Sequence, residues 1–86
     1  QLHESLNWVA KMIKSGNKDF IFLQKEASKQ INEAGFRTDY VSVCNSKTLE
    51  MAAVDDVDIT ILGAMYSTSA RLIDNISLNN YRNRLC

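Results

Sequence analysis

The chain has 86 residues, 45% of them hydrophobic and 23% charged, with ten basic residues balancing ten acidic ones. That length holds a single domain with a small core, and zero net charge removes the excess of Lys and Arg by which proteins hold nucleic acid or anionic lipid. No apolar run approaches the roughly 18–20 residues needed to span a bilayer, and no basic stretch leading into an apolar block marks a secretory signal.

Leu2, Leu6, Val9 and Ile13 recur at spacings of four, three and four, which predicts a helix with one buried face. Lys11 and Lys14 fall on its wet side, and Ser15-Gly16 supplies a stop, because glycine can take the left-handed conformation that closes a helix. Gln1 and Leu2 are already in the apolar rhythm, with no Ser, Thr, Asp or Asn ahead to cap the first free N–H groups. The chain is therefore expected to be a piece of a longer protein.

A second helix follows, with Asn17 or Asp19 as its cap and Phe20, Leu23, Ala27, Ile31 and Ala34 as its buried stripe. Lys25, Lys29 and Glu33 face solvent, Gly35 ends the helix, and Phe36 is placed to fold back onto Ile31. So short a connection predicts an antiparallel helical hairpin.

Beyond Gly35 the hydrophobic period changes from 3.6 to 2. Residues 40–44 read as a strand and 45–53 as a short helix or turn started by Asn45 or Ser46. The acidic loop Asp55-Asp56 leads into a second strand over 58–66. Ser67-Thr68-Ser69 is a hairpin turn, and 70–78 is the third strand. The expected fold is α+β: a helical hairpin packed on a small, mostly antiparallel three-stranded sheet, with one short helix. Residues 79–86 are polar and are expected to fray.

Few residues carry chemistry. His3, the one histidine, makes neither a metal site nor a triad by itself, and it reads as a surface residue. Asp55, Asp56 and Asp58 lack the glycine placement and distal glutamate of a calcium loop, so a solvated loop is expected. Neither GxGxxG nor GxxxxGK[ST] occurs. Cys44 and Cys86 are too few and too far apart for a metal pattern, and free thiols suit a reducing cytoplasm. Arg82 and Arg84 form a weak basic tail. Ser67 to Ser69 are the small polar residues a turn requires, and Trp8 and Met12 flank the first helix's stripe as core or interdomain contacts. On these residues alone the chain is a non-catalytic α+β domain, and a stand-alone interaction module using its sheet edge or helix hairpin is one reading.

Three stretches in order carry a resemblance: Ile31-Asn32-Glu33-Ala34-Gly35-Phe36, Thr48-Leu49, and Ala70-Arg71-Leu72-Ile73-Asp74-Asn75. Over about residues 2–78 the chain resembles the C-terminal domain of the pantothenate synthetase (pantoate–β-alanine ligase) family. The resemblance implies an intact enzyme that uses ATP and magnesium. Pantoate carboxylate attacks the α-phosphate, pyrophosphate leaves, and the amine of β-alanine then displaces AMP from pantoyl adenylate to give pantothenate. It implies a nucleotide-binding N-terminal domain, absent from this chain, that carries a His-x-Gly-His and a Met-Ser-Ser-Arg motif and most contacts of a homodimer.

Residues 1–86 are then a lid-like domain, expected to be inactive by itself. No catalytic, cofactor-binding or metal residue is carried over onto it. Within the matching stretches, Leu72 and Ile73 are expected on opposite faces of the sheet. Asp74 and Asn75 are expected to bind neighbouring backbone or the helix layer.

Overall fold

Two helices and three strands follow one another along residues 1–78, the part of the chain described by the computed structural model: α1 (Leu2–Lys14), α2 (Phe20–Glu33), β1 (Arg37–Asn45), β2 (Ile59–Tyr66) and β3 (Arg71–Leu78). The predicted tail, with Arg82, Arg84 and Cys86, lies outside the described residues.

Both helices end in the same way. Gly16 and Gly35 have φ of +104° and +96°. Asn17 and Phe36 donate their N–H groups back to Met12 and Ile31, while Gly16 and Gly35 donate to Ile13 and Asn32. This paired closure requires a left-handed residue, which glycine supplies without steric cost. Between the helices the Asp19 carboxylate accepts from Phe22 N–H at 3.1 Å, so Asp19 rather than Asn17 is the cap of α2. Asn17 instead steadies the turn by accepting from Asp19 N–H.

The buried stripes are Leu2, Leu6, Val9 and Ile13 on α1 and Phe20, Leu23, Ala27 and Ile31 on α2. Ala34, expected to continue the second stripe, is exposed, because it follows the last helical residue and the chain there turns off the buried face.

The strands form an antiparallel meander in the order β1-β2-β3. Val41, Val43, Ile59, Ile61, Met65 and Leu78 meet the helices in one core. Gly63, at the middle of the central strand, admits α1 closely: a Cβ there would lie 3.0 Å from Leu2 Cδ1 and Leu6 Cδ2. The sheet thus has one covered face and one open face.

β1 starts at Arg37, three residues earlier than its alternation indicates. Thr38 pairs with Met65 and Tyr40 with Ala64, which leaves Asp39 as an extra residue in a bulge. A bulge shifts the in–out phase, so the strand's first residues do not share the period of the rest.

Of the short helix or turn expected over 45–53, the structure forms the turn. Asn45 Oδ1 accepts from the N–H groups of Lys47 and Thr48, Leu49 N–H donates to Asn45 O, and Ala52 N–H donates to Val43 O. The side chain of Asn45 competes for the backbone donors, and the segment returns along the edge of β1 as a turn. The hairpin between β2 and β3 is closed by Ser67 N–H donating to Ala70 O at 2.8 Å.

Candidate functional site

Alternation along the strands sorts the polar residues by face. On the helix-covered side, Asp74 stands opposite Gly63, and its carboxylate lies 2.8 Å from His3 Nδ1 on the first turn of α1. His3 is a surface residue, as expected, but it has a partner 71 positions away. That hydrogen bond, together with the N–H of Asn75, holds the Asp74 carboxyl below its ordinary range. Asp74 thus binds the helix layer and neighbouring backbone, whereas Asn75 falls on the open face opposite Leu62. Leu72 and Ile73 lie opposite Met65 and Ala64 and so occupy the two faces in turn.

The open face gathers charge at one end. Tyr66 pairs with Arg37 on one side and Arg71 on the other. The Arg37 guanidinium lies 4.4 Å from the centre of the Tyr66 ring and that of Arg71 lies 6.0 Å from it. Arg71 also donates from Nε and Nη2 to Asp39 Oδ2 at 3.0 and 2.7 Å. The bulge that adds Asp39 to β1 therefore supplies the carboxylate that Arg71 binds. Sequence reasoning missed this group because its members come from three strands. The available signal was the arginine in the Ala70–Asn75 stretch together with the broken alternation at Asp39.

A shallow groove runs along α2, lined by Gln24, Ser28 and Asn32 at intervals of four. Its polar groups already serve the edge of β1. Gln24 Oε1 accepts from Val43 N–H, Ser28 O accepts from the Thr38 hydroxyl, and Asn32 Oδ1 accepts from the Thr38 N–H and hydroxyl. The groove is the seam between helix and sheet.

Among the described residues, Cys44 is buried and its thiol is pushed above its ordinary pKa by desolvation, which disfavours the nucleophilic thiolate. Trp8 and Met12 pack against the core. Asp55 and Asp56 lie in the loop between β1 and β2, where Asp56 accepts from Ala53 N–H. No three His, Cys, Asp or Glu side chains among the described residues come together as metal ligands. No helix among them is long and apolar enough to cross a membrane. Among the described residues, these contacts position, pair and bury side chains.

Residues 1–77 match the family described as pantoate-beta-alanine ligase. The chain is 63% identical to a pantothenate synthetase of Saccharophagus degradans, covering 92% of this chain and 28% of that protein. It is 58% identical to one from Cellvibrio japonicus over 90% of this chain and 27% of that protein. With one from Colwellia psychrerythraea it shares 46% identity over 91% of this chain and 29% of that protein. The chain thus spans less than a third of the length of these relatives.

Proposed function

The chain belongs to the pantoate–β-alanine ligase family, and from that premise we propose that it is the lid-like part of an enzyme that joins pantoate to β-alanine at the expense of ATP. In the proposed reaction a pantoate carboxylate oxygen bonds to the α-phosphorus of ATP and pyrophosphate leaves. The β-alanine nitrogen then bonds to the pantoyl carbonyl carbon, AMP departs, and the amine proton goes to solvent or a base. The catalytic step is assigned to polypeptide outside this chain. The metal and the nucleotide are assigned there too.

The observation that carries this reading is a disproportion. The likeness covers 92% of this chain but 28% of its relative, and His3, Asp74, Gln24, Asp39 and Arg71 are engaged in holding the domain together. A lid contributes by excluding water, which would otherwise hydrolyse an acyl adenylate, and by keeping the amine near the carbonyl. A reducing cytoplasm, in which Cys44 stays a thiol, and a homodimer built through the remainder of the enzyme belong to the same proposal.

The test is pyrophosphate release from ATP and pantoate, followed by β-alanine-dependent AMP release. The intact gene product is expected to catalyse both steps and these 86 residues neither. Turnover by the 86-residue chain would overturn the lid assignment.

A further inference from the structure

Thirteen residues, 46–58, connect β1 to β2. Antiparallel neighbours are commonly joined by about two to five, and unstructured connections beyond about 12 are usually functional or disordered. This one is tightly built. Asn45 organises its first turn through both its side chain and its carbonyl, and Glu50 N–H donates to the Thr48 hydroxyl. Ser46 N–H is held by Asp58 O, and Ala52 anchors the middle against β1. Leu49 is held at φ +60°, a conformation that leucine rarely adopts.

What this framework displays is apolar. Leu49, Met51 and Val54 are 59%, 59% and 58% exposed, and Val57 is 38% exposed. The same segment carries Glu50, Asp55, Asp56 and Asp58 against the single cation Lys47. An ordered loop that holds four apolar side chains in water, one of them on a strained backbone, is pre-organised for a contact. Its complement is an apolar hollow rimmed by Lys and Arg.

Building on the ligase reading, we propose that this loop docks the domain onto the portion of the same ligase polypeptide that lies outside this chain. That portion makes up more than two thirds of the relatives' length and is the surface a lid must meet. A second copy is the competing occupant, and dependence on protein concentration separates it from a contact within one polypeptide.

Met51 is a built-in probe. In the intact gene product, methionine oxidation by hydrogen peroxide is followed by mass spectrometry, with and without ATP and pantoate. Met65, which is 2% exposed, serves as the internal standard for folding. Met51 is expected to oxidise at least roughly tenfold more slowly than free methionine in one or both conditions, independently of protein concentration. The double variant Leu49→Asp, Val54→Asp is expected to restore fast oxidation at Met51 while Met65 stays protected; aspartate is tolerated at the left-handed position.

Fast oxidation of Met51 in both conditions overturns the proposal. So does protection that disappears on dilution, which assigns the loop to a second copy, or protection that survives the double variant. Pyrophosphate release measured on the same sample separates the two readings. Turnover with an exposed Met51 removes the docking surface alone, and a protected Met51 without turnover removes the ligase reaction alone.

Discussion

Arg71 on β3 reaches over the central strand to Asp39 on β1, placing Nη2 2.7 Å from the carboxylate. The Arg71 guanidinium lies 6.0 Å from the centre of the Tyr66 ring on the central strand. The Asp39 hydrogen bond is the main influence holding the Arg71 guanidinium in its charged form. In a double-mutant cycle, Asp39→Asn and Arg71→Gln are expected to be less than additive at low ionic strength and close to additive in molar salt. Additivity at low salt would show that the two outer strands are not coupled.

Gly35 is expected to resist replacement for a conformational reason. A Cβ would meet nothing within 4 Å, so the cost of Gly35→Ala comes from φ +96° and not from crowding. Thermal melts should show a loss of about 1 kcal/mol. An unchanged melting temperature would mean that the turn from α2 to β1 relaxes into another closure.

At Gly63 the reason is space. The methyl groups of Leu2 and Leu6 occupy the position a larger side chain would need, so Gly63→Val should push α1 off the sheet. Overpacking of this kind costs about 1–3 kcal/mol, more than the gain from valine's preference for strands. Chemical denaturation would read it, and a stabilised variant would contradict the close approach of α1 to β2.

The His3–Asp74 pair sets a pH dependence. The folded-state pKa of Asp74 is lowered, first by His3 and then by the N–H of Asn75. The unfolded state therefore takes up the proton first as pH falls. The pair's contribution is fully present above the unfolded value of about 3.9 and is lost as pH drops through the lower folded value. His3→Ala should be less stable than the parent at pH 5 to 7, and the two should converge in more acid solution. Melting curves that stay parallel down to pH 2 would sink this assignment.

Cys44 should be shielded by the fold. Its thiol is buried and its ionisation is disfavoured by desolvation. In a Cys86→Ser background, a thiol reagent at pH 8 is expected to label Cys44 slowly in the native protein and fast in denaturant. Equal rates would show that the edge of β1 opens freely.

The local elements and their order were determined by the sequence itself, because they rest on interactions between residues close along the chain. The spacing of Leu2, Leu6, Val9 and Ile13, the stops at Gly16 and Gly35, and the alternation through Ile59, Ile61 and Met65 all name a buried face and an end. The stretch from Ala70 to Asn75, read beside the closure at Phe36, was enough to indicate the family. Tertiary structure decided the rest. That Asp39 bulges out of β1, that it binds Arg71 across the central strand, and that His3 finds Asp74 depend on strand register and on which helix covers which face. Residues 45–53, legible as a short helix or a turn, take the turn, because Asn45 Oδ1 draws the N–H groups of Lys47 and Thr48 and the edge of β1 draws that of Ala52. The His3–Asp74 and Asp39–Arg71 pairings join positions 71 and 32 residues apart, and periodicity within one strand or helix has no means of recording them.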